Sequence, residues 1–241
     1  MKLTEVSIRR YRSIEEMDGF PVEPDITCLV GKNESGKTAV LSALTKSCPL
    51  ERDLFHFDQT LDYPSGLHRE RKQSDTEIPV TVLSYELEDA EVVSIEESLG
   101  HGAIASRNIE VTTFYSGEHK WKIALDEQAI VRDLIANLSL PKEPQAQVDA
   151  AESVEVLVDI LHGLGDPSSE ANAVLDRVEG WRNGSPEDEA VELLNEYWPR
   201  FLYFSEYDIM PGEVSVRKLL KKRRENNLTR GEEAFFSLLH L

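Results

Sequence analysis

The sequence predicts an α/β fold carrying an antiparallel β lobe and a helical insertion, and three observations predict it. A continuously apolar stretch (residues 26–30, ITCLV) runs into a glycine-rich loop and then into residues spaced as a helix. Alternating polar and apolar residues follow between 80 and 123. Beyond residue 126 the apolar spacing changes to three and four, the period of a helix burying one face.

Each element can be justified in chain order. Residues 2–11 alternate apolar and charged side chains and read as a first strand, and the unbroken run at 26–30 reads as a strand buried on both faces. After the loop, Val40, Leu41 and Leu44 mark a helix. Residues 48–79 are polar and irregular, broken by Pro64, Gly66 and Pro79. Residues 80–87 alternate, with Thr81, Leu83, Tyr85 and Leu87 on one side. Residues 109–115 and 119–123 flank Ser116 and Gly117 as the arms of a hairpin.

Helices follow, marked first by Ile130, Leu134 and Leu138 and then by Val154, Leu157, Val158 and Leu161. A third carries Ala171, Val174, Leu175, Val178 and Trp181. Ser185 as N-cap and Pro186 in the first turn open a fourth, with Ala190, Val191 and Leu194 facing inward. Pro141, Pro144 and residues 163–167 separate these pieces. Residues 201–204 read as a short apolar strand, and a helix is expected near 214–225. A capping box of Thr229 and Glu232 opens a last helix, whose stripe is Phe235, Leu238 and Leu239. The expected organisation is a nucleotide lobe with a β-rich subdomain at 1–125, a helical insertion at 126–198, and a return to the core at 199–241. The last part is expected to be truncated, because an apolar helix stripe ends the chain without a packing partner.

Composition bounds the function. A chain of 241 residues suits one large domain or one domain with an insertion. Its 40% hydrophobic and 29% charged residues are those of a soluble globular protein. No run of about 18 apolar residues occurs, which excludes a membrane-spanning helix, and the N-terminus has no signal-peptide core. Cys28 and Cys48 are too few for a disulfide framework. Cys28, inside an apolar run, is expected to be a buried free thiol in a reducing, cytoplasmic setting. A formal charge of −19 argues against the bulk surface as a nucleic-acid binder. Against that background, Arg217, Lys218, Lys221, Lys222, Arg223 and Arg224 form a basic patch at 217–224. It is either a solvated helix face or a contact for DNA, phosphate or an acidic partner.

The loop carries the chemistry. Gly31, Lys32, Asn33, Glu34, Ser35, Gly36, Lys37 and Thr38 match the phosphate-binding P-loop pattern in full. The glycines let backbone N–H groups turn toward phosphates, and the helix that follows adds its positive N-terminal end. Lys37 reaches the β- and γ-phosphates of ATP, and Thr38 offers a hydroxyl to Mg²⁺. The four fixed positions arise by chance in about one chain in a hundred of this length. A GTPase base-recognition motif is absent. A Walker B strand, apolar and ending in Asp, is approached at 156–159 and at 201–206. The first has helical spacing, and the second has Ser205 where Asp is needed.

Residues 26–44 (ITCLVGKNESGKTAVLSAL) resemble the Walker A region of ABC-type ATPases of the SMC and RecF-like group. They are most similar to the N-terminal ATPase domain of the OLD (overcoming lysogenisation defect) family nucleases. Residues 7–14 (SIRRYRSI), 80–91 and 199–213 (PRFLYFSEYDIMPGE) resemble further segments of that domain. The resemblance implies a P-loop fold of the ABC or SMC-head type that binds ATP and Mg²⁺, dimerises around nucleotide, and regulates a nuclease or phage-defence effector acting on DNA. By position it implies that Arg12 touches the nucleotide and that Gln59 or Gln73 serves as the Q-loop metal ligand. In that family a signature motif, a Walker B strand and a nuclease domain come later. Residues 228–232 (LTRGE) only echo the signature, with Arg230 in place of a glycine. Binding without hydrolysis by this chain alone is therefore expected. The alternative is a stand-alone ATP-binding regulatory subunit whose helical region carries protein contacts.

Overall fold

The computed structural model describes residues 1–50, 55–67, 77–165, 167–204, 215–225, 227–229, 231–232 and 235–236. Five strands, β1 (Lys2–Tyr11), β2 (Ile14–Pro21), β3 (Pro79–Glu86), β4 (Asn108–Phe114) and β5 (His119–Lys122), form one antiparallel sheet in the order β2-β1-β3-β4-β5. The register aligns Val6 with Leu83 and Leu83 with Val111, so these three share one face, and each is fully buried. Helix α1 (Lys37–Ser47) covers that face, packing on β1 and β3 through Ala39, Val40 and Ala43. Thr81 lies on the same buried face, and its hydroxyl is satisfied by Ser47 Oγ at 2.6 Å. A buried hydroxyl left without such a partner costs about 1–3 kcal/mol.

Alternation along β1 slips at one point. Val6 and Ile8 face inward, Arg10 stands at φ 52, and Tyr11 rather than Arg10 is the next buried residue. The slip turns Arg12 toward the outside of the β1–β2 turn, which matters for the site below.

The remaining helices close the fold. Helix α2 (Asp89–Leu99) starts in a capping box made by Glu88 and Glu91 and packs against α7 (Pro186–Tyr197). Ser98 Oγ donates to Glu189 Oε1 at 2.8 Å across that contact. Between them in the chain come α3 (Glu127–Ile135), α4 (Lys142–Asp149), α5 (Val154–His162) and α6 (Ser169–Glu179). Arg177 of α6 donates to Asp133 Oδ2 of α3 and to the Ser98 carbonyl, both at 2.9 Å. At the end of α7, Trp198 Nε1 donates to the Tyr85 hydroxyl at 3.0 Å and ties the helices to β3. Helix α8 (Val216–Arg224) follows.

Most expected elements are present, including the 114–118 hairpin turn, where Gly117 sits at φ 86. Ser153, Ser168 and Ser185 cap α5, α6 and α7 through their side-chain oxygens. Four expectations need correction. Residues 26–30 are not a strand: Ile26 is 76% and Val30 92% exposed. An extended segment becomes a strand only beside a hydrogen-bonding neighbour, and no described strand lies next to this one. Cys28 is accordingly exposed, not buried, while Cys48 is the buried thiol. Residues 201–204 give only an isolated parallel bridge from Phe201 to Pro49. Pro144 does not break the chain but sits in the first turn of α4, where its missing N–H has no helical acceptor to lose. The observed sheet is thus the antiparallel lobe with β1 inside it, and the expected P-loop strand is not part of it.

Candidate functional site

The loop at 31–36 leaves residue 30 and enters α1 directly. Gly36 takes φ 93, a left-handed conformation that glycine adopts without a side-chain clash. A Cβ there would meet Ser13 Oγ at 3.5 Å, so the backbone angle rather than space demands glycine. Glu34 at φ 66 and Arg12 at φ 53 hold the same left-handed geometry with full side chains, at about 1 kcal/mol or more each. Such strain concentrates where geometry serves a ligand.

The Lys37 amine folds back into its own loop. Its Nζ donates to the carbonyls of Gly31 at 2.8 Å and Lys32 at 2.6 Å, with Ser35 Oγ at 3.4 Å. The first helical bond of α1 runs from Val40 N to Gly36 O at 3.0 Å. The N–H groups of Lys37, Thr38 and Ala39 therefore have no acceptor inside the helix. They open on a cleft of ≈ 580 Å³ lined by Arg12, Ser13, Asn33, Glu34, Gly36, Lys37, Thr38 and Ala39. That volume falls within the range of small-molecule sites. Two cations, Arg12 and Lys37, face one carboxylate, Glu34, around it.

Arg12 is held from behind. Its Nε donates to Asp62 Oδ1 at 3.0 Å, and its backbone N–H donates to the Asp62 carbonyl at 2.5 Å. The other Asp62 oxygen accepts from Lys46 Nζ at 2.5 Å and from the Asp58 amide at 3.0 Å. Burial pushes the Asp62 carboxyl up, but the bonds from Lys46, Asp58 and Arg12 outweigh it and hold it below the ordinary carboxylate range. The Tyr11 ring lies under both cations, 5.2 Å from Arg12 Cζ and 5.7 Å from Lys46 Nζ. Burial also raises the Tyr11 hydroxyl, which bonds Ser42 Oγ at 2.9 Å.

The structure thus brings Arg12 together with Asn33, Glu34, Gly36, Lys37 and Thr38. Gly31, Lys32 and Ser35 serve as acceptors for Lys37 and do not line the cleft. Gln59 is exposed in the 58–62 turn and is not among the lining residues, and Gln73 lies outside the described residues. Asp159 belongs to α5 and lines a different cleft with Glu127, Glu155 and Glu179, so the 156–159 segment is a helix and not a Walker B strand. Ser205 and Glu206 lie outside the described residues, as do Arg230, Leu238 and Leu239. Thr229 N donates to Glu232 Oε2 at 2.9 Å, one of the two bonds of the expected capping box. In the basic patch Lys222 pairs with Glu232 at 2.7 Å and Arg223 stacks on Phe236 at 4.8 Å, while Arg217, Lys218 and Arg224 are exposed.

Sequence reasoning missed Ser13, Lys46 and Asp62. Nothing in its spacing marks Asp62 among 45 acidic residues. The available signal was its aromatic setting, since Phe57 and Tyr63 on either side are both buried.

A family model described as AAA ATPase domain matches residues 1–154. That span takes in the whole sheet, the loop, α1 and the turn that holds Arg12. No curated protein matches the chain. Among the described residues no helix is long and apolar enough to cross a membrane.

Proposed function

The chain belongs to the AAA ATPase domain family, which implies nucleotide binding, and on that premise we propose that the cleft at α1 binds Mg-ATP. The observation that carries the reading is a cleft lined by Lys37, Thr38 and Ala39 at the open end of α1, beside a Lys37 amine held only by loop oxygens. A phosphate group entering there takes the amine from the loop carbonyls and accepts from the N–H groups of Lys37, Thr38 and Ala39. The helix end adds favourable positive potential. Arg12, also lining the cleft, supplies a second cation.

Thr38 is the residue that would hold Mg²⁺. Its hydroxyl is a hard oxygen donor of the kind this ion prefers, and the phosphate oxygens of the nucleotide would be further donors of the same kind. No group of three or more His, Cys, Asp or Glu able to hold a metal occurs among the described residues. That donor set suits an ion that arrives on the nucleotide. Once bound, Mg²⁺ neutralises charge on the phosphates.

The chain holds ATP without turning it over by itself. Glu34 is the sole carboxylate lining the cleft among the described residues, and it sits in the loop. Phosphoryl transfer needs a positioned water as well as charge stabilisation. The resemblance of residues 26–44 to OLD-family ATPases supports a finer role, an ATP-dependent regulator of a DNA-processing effector working as a homodimer. In that role 1–125 is the nucleotide lobe, 126–198 a helical insertion and 199–241 the return to the core. The exposed cations of α8 are then available to DNA or to the effector.

Thermal melts test the binding. Millimolar Mg-ATP should raise the melting temperature of the wild type and leave Lys37→Ala unmoved, since a ligand stabilises only the state that binds it. Equal shifts in both proteins would remove the P-loop from the account. Phosphate release that disappears in Lys37→Ala would refute the absence of turnover.

A further inference from the structure

We propose that Asp62 is a positioning residue for the nucleotide, aiming the Arg12 guanidinium at the phosphate chain held by the P-loop. The inference rests on the Mg-ATP reading above. Its basis is a convergence at one carboxylate whose side chain is 3% exposed. One oxygen takes Arg12 Nε and the other takes Lys46 Nζ, while the Asp62 carbonyl takes the Arg12 N–H. Arg12 is therefore gripped by both backbone and side chain at a left-handed residue.

The choice of nitrogen matters. Binding through Nε leaves the two terminal nitrogens of the guanidinium for a ligand, and among the described residues neither meets an acceptor. The side chain is 45% exposed and lines the cleft. The Tyr11 ring lies beneath, 5.2 Å from Arg12 Cζ. Asp62 sits on a rigid platform, because Asp58 Oδ1 accepts from Thr60 N at 2.7 Å and Leu61 N at 3.0 Å.

Charge counting adds a second reason. Arg12 with Asp62 alone would be a neutral pair, which has little pull on an anion. Lys46, only 14% exposed, neutralises the carboxylate from behind. The trio carries one net positive charge, and its exposed member is Arg12. A preorganised cation of this kind gives up no rotamer freedom when the ligand arrives, which is how preorganisation raises affinity.

Titration calorimetry with Mg-ATP tests this on the 241-residue chain and on Lys37→Ala, Arg12→Ala, Asp62→Asn and the Arg12→Ala/Asp62→Asn double variant. Arg12→Ala and Asp62→Asn should each weaken binding about tenfold, the loss of one charge-assisted contact. The double variant should bind no more weakly than Arg12→Ala alone, since Asp62 acts through Arg12. A purely structural Asp62 would add its full loss in the double variant, and that result overturns the proposal, as does Asp62→Asn binding within twofold of wild type. Should Asp62→Asn not fold, Arg12→Lys decides. Its single amine cannot hold Asp62 and reach the phosphates together, so it should lose nearly as much as Arg12→Ala, and wild-type affinity there overturns the proposal. Binding lost in Lys37→Ala but intact in the Asp62 and Arg12 variants removes the Asp62 role alone. No binding by the wild type removes the Mg-ATP reading and the inference with it.

Discussion

The sheet with its covering helices and the segment at 26–30 carry similarly apolar sequences and end in opposite environments. Val6, Leu83, Leu157, Leu161 and Leu194 are fully buried, while Ile26 and Val30 are 76% and 92% exposed. Burying a Val, Ile or Leu side chain stabilises by about 1.5–3 kcal/mol, and that gain is realised in the first region and not in the second. An apolar run states that a segment can be buried, but only a neighbouring element completes the burial. The phosphate loop hangs between the two, open on its 26–30 side and held on the other by α1 and the Arg12–Asp62 grip.

The contrast can be sharpened by substitution, beginning with the largest effect. Leu83→Ala or Leu157→Ala should lower stability by about 2–5 kcal/mol in denaturant unfolding, because each leaves a cavity in a closed core. Trp198→Phe should cost about 1–3 kcal/mol, since it withdraws the indole donor from the buried Tyr85 hydroxyl. Ser185→Ala, which removes the α7 cap, should cost about 1 kcal/mol. Val30→Ser should change stability by no more than about 0.5 kcal/mol, as for other exposed positions. A cost at Val30 matching that at Leu83 would break the comparison by placing residue 30 in a packed interior.

How much of this was legible in the sequence follows the same division. The β4–β5 hairpin and helices α5, α6 and α7 were readable because turn residues, serine caps and three-four spacing each agree with the tertiary environment. Strand β2 was not, because IEEMDGFP is a polar edge strand whose pairing with β1 is set by the tight turn at Arg12 and Ser13. Helix α2 was not readable, because residues 80–91 resemble one continuous family segment and the capping box of Glu88 and Glu91 falls inside it. The 26–30 segment was misread because a continuous apolar run implies two covering neighbours that the described residues do not supply. Within the site, the loop residues and Arg12 were legible from motif and resemblance. Asp62 and Lys46 were not, because they meet Arg12 only through the folding of the 58–62 turn onto α1.

Acid should expose the grip behind the site. The Asp62 carboxyl titrates below its unfolded value, so its contribution is complete above about pH 4 and is lost as pH falls through the lower folded value. Asp62→Asn should remove that component from the pH dependence of unfolding, and an unchanged acid limb would show that the carboxylate is not paired in solution.

The most direct measurement is a calorimetric titration of Mg-ATP into the wild-type chain beside Lys37→Ala. The expected result is saturable binding near one nucleotide per chain that vanishes in the variant, with both proteins melting at the same temperature without ligand. Equal binding by the two, or none by a folded wild type, would contradict the assignment of the Lys37 cleft as the nucleotide site.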